Sequence, residues 1–167
     1  MATKKVSPAF RLGYIVFPAT ILLISLVLTA IFYPRLTAEL GYHFQGDGSP
    51  DRWLNRNRII LAMLVPQLIL TLVATATTWG VTKLSARLQL PQQSASNREK
   101  IFWLMGNMMA LPQLVLSFAM LDIFIYNAYR IHIMPLWVFA VIVMVGGGIV
   151  LGVFFFRAAK EARRATH

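Results

Sequence analysis

Hydrophobic residues along this chain fall into four long runs that are separated by shorter polar intervals. The runs cover residues 12–33, 59–79, 101–126 and 134–156. Each is long enough to cross a hydrocarbon core about 30 Å thick, for which a helix needs roughly 20 residues. The pattern predicts an all-α membrane protein in which four transmembrane helices form a bundle.

The polar intervals between the runs are a loop at 34–58 and a second loop at 80–100, and little sequence lies outside the four runs. The chain is 57% hydrophobic, with a mean hydropathy of +0.63, which is outside the range of soluble proteins. The first run is too long for a cleaved signal peptide and no cleavage site follows it, so we expect an uncleaved anchor. These features predict a single four-span membrane domain over residues 1–167.

The chain carries a formal net charge of +10, but its basic residues are divided unequally between the two sides that four spans define. The positive-inside rule places the side with more of them, which includes both termini and the 80–100 loop, in the cytoplasm. The 34–58 loop is then expected outside. Charge divided in this way serves topology and contact with the lipid bilayer, and it argues against nucleic-acid binding. The larger set is Lys4, Lys5, Arg11, Lys83, Arg87, Arg98, Lys100, Arg157, Lys160, Arg163 and Arg164, and the smaller set is Arg35, Arg52, Arg56, Arg58 and Arg130.

The 34–58 loop has the composition of an ordered segment. Gly46-Asp47-Gly48 predicts a tight turn, because glycine adopts positive φ without strain. Ser49 and Pro50 are typical of a helix N-cap and first helical position, so we expect the second helix to start there. Upstream, residues 34–40 suggest a short helix. The sequence thus predicts an ordered extracytoplasmic loop between the first and second helices.

The same loop contains the order His-Phe-x-x-x-Gly-x-Pro-Asp-x-Trp, formed by His43, Phe44, Gly48, Pro50, Asp51 and Trp53 and followed by Arg56. This order resembles the signature of the domain of unknown function 1648. That domain forms the N-terminal part of SdpI-like bacterial immunity membrane proteins and also occurs alone in small membrane proteins. The chain departs from the family at Gln45, where Asn or Asp is usual, and at Arg56, where Lys is usual. The resemblance implies a protein of the bacterial cytoplasmic membrane with a binding or protective, immunity-like role.

Four polar side chains within the apolar runs are candidates for helix contacts or function: Gln67, Asn107, Gln113 and Asp122. Gln67 and Gln113 each follow a proline in a shared Pro-Gln-Leu-x-Leu-Thr/Ser motif. Each proline leaves a carbonyl free on the preceding turn, and a glutamine amide can satisfy it or bridge two helices.

Asp122 is an acidic residue inside an apolar run, which makes it a functional candidate. It lies only about 6 Å from the end of that run, because Tyr126 follows one turn later. We therefore expect Asp122 to pair with Arg58 or Arg56 and to tie the third span to the base of the loop. A proton or ion site is the alternative.

Gly148 and Gly152 form a GxxxG pair in the fourth run. This spacing lets two helix backbones approach closely. It seats the fourth helix in the bundle or forms the interface of a homo-oligomer, and the sequence leaves both open.

The sequence contains no HExxH, GxSxG or phosphate-binding glycine loop, and it has no cysteine. His43, Asp47 and Asp51 are the residues that a divalent metal could use, with His132 to complete the set. Their turn-rich setting favours hydrogen bonds to the loop backbone instead. We expect no enzymatic activity, no catalytic residue, no bound metal and no cofactor.

The sequence therefore suggests a non-enzymatic membrane protein that displays the loop to a protein or peptide partner. One alternative is an oligomeric transporter or channel subunit, in which Asp122 and the proline-glutamine pairs line a path. A further alternative is an accessory subunit of a larger membrane complex.

The charge distribution makes a topological prediction. Because the chain has no cysteine, Ser49→Cys and Ser94→Cys each give a single thiol. An impermeant thiol reagent should label intact cells at position 49 and not at position 94. The reverse pattern would overturn the assignment.

Overall fold

The structure, a computed structural model, describes residues 11–87 and 95–165. Most of it is helical, and a two-stranded antiparallel sheet lies between the first two helices. Short 3-10 turns at Leu12–Ile15 and Tyr33–Arg35 extend the first helix at both ends. In chain order the elements are α1 (Val16–Phe32), β1 (Glu39–Phe44), β2 (Pro50–Asn55), α2 (Arg56–Arg87), α3 (Ala95–Asn107), α4 (Ala110–Tyr129) and α5 (Leu136–Ala165).

Four helical segments of the described chain are long and apolar enough to cross a membrane. They overlap the four predicted runs, so the expected number of membrane-length apolar helices is confirmed. The fold is not all-α, because the polar interval between the first two spans contains a two-stranded sheet. The segments are Leu12–Arg35, Arg56–Leu84, Glu99–Tyr129 and Leu136–Phe154.

The sheet is a β-hairpin, and it replaces the helical segments that the sequence suggested. Residues 34–40 do not form a helix, since the 3-10 turn ends at Arg35 and β1 begins at Glu39. Pro50 begins β2, and α2 starts only at Arg56. The predicted tight turn is present and joins the two strands. Once that turn reverses the chain, the aromatic residues on either side of it pack opposite residues of the other strand. These cross-strand contacts stabilise the strands, and the local helix signals carry no information about them.

The third span is interrupted between α3 and α4. Pro112 lies in the first turn of α4, where a missing backbone N–H removes no helix hydrogen bond. The Met108 carbonyl accepts the Leu111 N–H at 3.1 Å. The proline therefore marks a break between two helices rather than a kink within one.

A buried polar cluster connects α1, α2 and α4. The Gln113 side-chain nitrogen donates to the Gln67 main-chain carbonyl and to the Thr71 hydroxyl, both at 2.8 Å. The Ser25 hydroxyl lies 2.7 Å from Gln67 Oε1 and 3.0 Å from the Ser117 hydroxyl. Gln67 and Gln113 are both 0% exposed. Gln113 thus bridges two helices, which is a role that the Pro-Gln-Leu motifs suggested.

A hydrophobic core lies at the end of the bundle that carries the hairpin. Leu40 of β1, Phe124 of α4 and Met120 of α4 are each 0% exposed, and Ile59 of α2 joins them. The base of the hairpin is therefore part of the core. This packing positions the strands firmly against α4.

Gly106 in α3 lies where that helix meets the start of α1. A Cβ atom at this position would overlap the Tyr14 carbonyl oxygen and lie 2.7 Å from Thr78 Cγ2. Backbone cannot move aside as a flexible side chain can, so α3 reaches α1 only because residue 106 has no side chain. By contrast, a Cβ at Gly80 in α2 would meet nothing within 4 Å.

We predict that Gly106→Ala destabilises the bundle by about 1–3 kcal/mol, the usual cost of overpacking. The control Gly80→Ala should instead be neutral or stabilising by roughly 0.5–1 kcal/mol, because alanine is the better helix former. Thermal unfolding in detergent measures both variants. Equal behaviour of the two would contradict the close approach at Gly106.

Candidate functional site

The Asn127 side chain joins β1 to α4. Its Oδ1 accepts the Gly41 N–H at 3.0 Å, and its Nδ2 donates to the Gly41 carbonyl at 2.9 Å and to the Ile123 carbonyl at 2.8 Å. Asn127 is only 7% exposed. A side chain at Gly41 would lie 2.6 Å from Pro50 Cβ, so the close packing of the two strands requires glycine there. Sequence reasoning missed Asn127, because a single polar residue near the end of a span resembles an ordinary boundary residue.

His132 joins the tip of the hairpin to α4. Its Nδ1 lies 2.9 Å from Asp122 Oδ2, and its Nε2 lies 3.1 Å from the Gly48 carbonyl oxygen. The second oxygen of Asp122 accepts the Ile133 N–H at 2.9 Å. Both ring nitrogens therefore lie within hydrogen-bond distance of an oxygen atom. His132 thus links the carboxylate to the turn.

The expected pairing of Asp122 with Arg56 or Arg58 is wrong. The Arg56 guanidinium donates to the Leu36 carbonyl at 3.0 Å and lies 4.3 Å from the centre of the Tyr33 ring. Asp122 instead meets the segment that follows α4, because the chain turns back after Arg130. Arg130 ends the helix with a left-handed backbone, φ 60°.

Aromatic rings enclose His132. The Phe44 ring lies edge-on to the imidazole, with the ring centres 4.5 Å apart. The Tyr126 ring stacks on the imidazole, with the ring centres 4.6 Å apart. Gly48 has φ 83°, and a Cβ there would lie 3.4 Å from His132 Cδ2. The glycine therefore provides the positive φ that the turn needs and lies in contact distance of the imidazole.

The turn itself is closed by local hydrogen bonds. Gln45 N–H donates to the Ser49 carbonyl at 2.9 Å, and Gly48 N–H donates to the Gln45 carbonyl at 3.0 Å. Asp47 Oδ1 accepts the Ser49 N–H at 2.9 Å and the Ser49 hydroxyl at 2.7 Å. These two bonds, the backbone one first, lower the pKa of the Asp47 carboxyl. Ser49 is thus part of the turn rather than a helix N-cap.

His43 and Asp51 form a second, more exposed pair across the hairpin, with His43 Nδ1 2.6 Å from Asp51 Oδ1. His132 lies with Asp122 instead of completing a set with these residues. Within residues 11–87 and 95–165, no group of three or more His, Asp or Glu side chains could hold a metal ion. The two histidines therefore act in separate pairs.

Most of β2 is exposed on both of its faces. Asp51, Arg52 and Trp53 are all exposed, and Trp53 is 46% accessible. In the described part of the chain, the side chains of Arg52 in β2 and Arg58 in the first turn of α2 make no hydrogen bond or ion pair. The exposed surface of β2 thus has an accessible aromatic ring and unpaired positive charge.

The other candidate residues lie away from the hairpin. Asn107 ends α3, where its Oδ1 accepts the Phe17 N–H at 2.9 Å and its Nδ2 donates to the Gly13 and Trp103 carbonyls. It therefore connects α3 to the start of α1. A Cβ at Gly148 or Gly152 would meet nothing within 4 Å among the described residues. The GxxxG pair does not seat α5 in this bundle.

Residues 20–70 match the family described as Domain of unknown function (DUF1648). This segment of the chain, and not the rest of it, is assigned to DUF1648 by the match. No curated protein and no solved structure matches the chain. The DUF1648 match covers most of α1, the whole hairpin and the first half of α2. Asn127, Asp122 and His132, which hold the hairpin, lie outside it.

The contacts of Asp122 predict which substitutions are coupled. Asp122→Asn and His132→Gln should each destabilise the protein, since a hydrogen bond to a charged group contributes about 1.5–3 kcal/mol. In the double variant we expect a coupling energy of about 0.5–3 kcal/mol, measured by unfolding in detergent.

Arg58→Gln is the matched control for that cycle. Its effect should add to that of Asp122→Asn within about 0.3–0.5 kcal/mol, because Asp122 makes no contact with Arg58. Coupling to Arg58 with none to His132 would restore the arginine pairing and contradict the His132 contact.

Proposed function

We propose that this DUF1648 protein is a non-enzymatic membrane protein that uses its hairpin to bind a protein or peptide partner outside the bacterial cytoplasmic membrane. The observation that carries the proposal is the attachment of the hairpin at two separate places. Asn127 holds β1 and His132 holds the turn, while β2 stays exposed. A binding surface fixed in this way loses little conformational entropy when a partner binds.

The arrangement of the polar side chains supports binding over catalysis. His132 uses both ring nitrogens for contacts within the protein. Asp122 likewise uses both carboxylate oxygens. A general base must reach a proton on its substrate, and these groups are already engaged. The geometry favours a structural role for both residues.

The charge distribution supports an outward-facing hairpin, since the larger set of basic residues belongs to sequence segments that the four predicted spans place on the opposite side. A fixed outer surface suits a protective role of the immunity type, in which the membrane protein binds an incoming agent.

The transporter alternative requires polar groups along a path. Gln67 and Gln113 are fully buried and bond across helices, which supports a packing role. The accessory-subunit alternative shares the hairpin surface with our proposal. It differs in that the partner would be a permanent membrane neighbour.

A photo-crosslinking amino acid tests the proposal in cells. Placed at Arg52, an exposed residue of β2, it should give a discrete crosslinked product. Placed at Met144, a 73% exposed residue of α5, it should react with lipid alone. The Arg52 product should disappear in a Gly48→Val background, because a β-branched residue does not tolerate φ 83° and the turn would be disrupted.

Other outcomes would count against the proposal. The same discrete product from both positions would show that the hairpin is not the binding surface. A product of Arg52 with a second copy of the chain, together with solute flux in proteoliposomes, would favour the transporter.

A further inference from the structure

The hydrogen-bond ladder of the hairpin shows which backbone groups point outward. Arg56 N–H donates to the Ala38 carbonyl at 2.9 Å, just beyond the paired strands. Hydrogen-bonded and non-hydrogen-bonded pairs alternate along an antiparallel ladder. The pair Leu40–Leu54 is therefore bonded, and the pair Gly41–Trp53 is not. The N–H and carbonyl groups of Gly41 and Trp53 thus point away from the ladder, to opposite edges of the sheet.

The outward groups of Gly41 are already satisfied. The Asn127 amide both donates to and accepts from this one residue, at 2.9 and 3.0 Å. A neighbouring strand would offer the same donor and acceptor, so Asn127 takes the place of a third strand on the β1 edge. This contact closes the β1 edge at Gly41.

The β2 edge has no equivalent. Within the described residues, no hydrogen bond reaches the outward N–H or carbonyl of Trp53. Unpaired groups on an edge strand are a template for another strand. Pro50, at the start of β2, lacks an N–H and confines such pairing to the part of the strand that follows it.

Two arginines lie in or just after β2, Arg52 in the strand and Arg58 in the first turn of α2. Arg52 and Arg58 are exposed and, in the part of the chain that the structure describes, make no ion pair. The nearest carboxylate in sequence, Asp51, is engaged by His43. A strand with acidic side chains would match this edge in both backbone pattern and charge.

We propose that the β2 edge binds an extended acidic peptide segment, which adds a third strand alongside Trp53. The inference rests on the proposed binding function and specifies its partner class and binding mode. Main-chain hydrogen bonds to Trp53 supply the binding pattern, and contacts with Arg52 and Arg58 supply the preference for acidic residues.

A capped synthetic peptide of alternating Thr and Glu tests this mode with the full-length protein in nanodiscs of neutral lipid. Binding should slow hydrogen exchange of the Trp53 N–H by about tenfold. The same peptide with N-methylated backbone cannot donate and should give no protection. A peptide with Lys in place of Glu should bind more weakly.

Two variants of the protein separate backbone pairing from other contacts. Trp53→Pro removes the outward N–H and should abolish binding, whereas Trp53→Ala keeps it and should reduce binding only in part. Protection of the Gly41 N–H by Asn127 reports whether the hairpin remains folded in each. Arg52→Glu should weaken binding of the acidic peptide while leaving that protection unchanged.

Several results would overturn the proposal. The first is peptide binding to Trp53→Pro that equals binding to the unchanged protein while the Gly41 N–H stays protected from exchange. The second is slowed exchange of the Trp53 N–H in anionic lipid without peptide. The third is exchange of the Trp53 N–H that slows as protein concentration alone rises. The second would identify a lipid surface and the third a second copy of the chain. If Arg52 crosslinks a partner in cells but the peptide gives no protection, the binding function stands and this mode fails.

Discussion

The two hydrogen bonds between the Asn127 amide and the Gly41 main chain are the contact on which the hairpin end of this protein depends. They bring a strand against the side of a helix, where its outward N–H and carbonyl would otherwise be buried without partners. Each such group costs about 1–3 kcal/mol when left unpaired. With that cost removed, Leu40 packs in the core and Phe44 lies against Tyr126 and His132.

Buried polar groups also need hydrogen-bond partners in the middle of the bundle. There the Gln113 amide nitrogen satisfies the Gln67 carbonyl and the Thr71 hydroxyl. Its oxygen, however, is buried without a hydrogen-bond partner among the described atoms. Side-chain amides thus connect α4 to the N-terminal half at two levels, to β1 near the hairpin and to α2 further in. Both contacts reflect the need to pair polar groups where water is excluded.

The four spans were predictable because membrane-crossing length is a property of local composition alone. The turn was predictable for a similar reason, since Gly48 needs a positive φ that few other residues accept. The strands were not, because Ser49-Pro50 is a strong local helix signal and strand pairing depends on residues across the turn. The resemblance to DUF1648 identified the residues of the loop, but it did not indicate that they form a sheet.

The partners of α4 were harder to find from sequence. Arg56 and Arg58 carry a full charge and lie at a suitable depth, so charge alone favoured them as partners of Asp122. The reversal at Arg130 instead brings His132 back over the helix. Neither that reversal nor the match between Asn127 and Gly41 has a local signal, because both depend on how distant segments meet.

The position of Asn127 also has a consequence for the order of synthesis. A ribosome makes α1, the hairpin and α2 well before α4, since chains emerge from the N-terminus. During that interval Gly41 has no amide partner, Leu40 has no Phe124 to pack against, and the turn has no His132. The nascent hairpin therefore has two open edges where the finished one has a single open edge. The unit that must be made before the hairpin can mature extends at least to His132, well beyond the 20–70 segment that defines the family match.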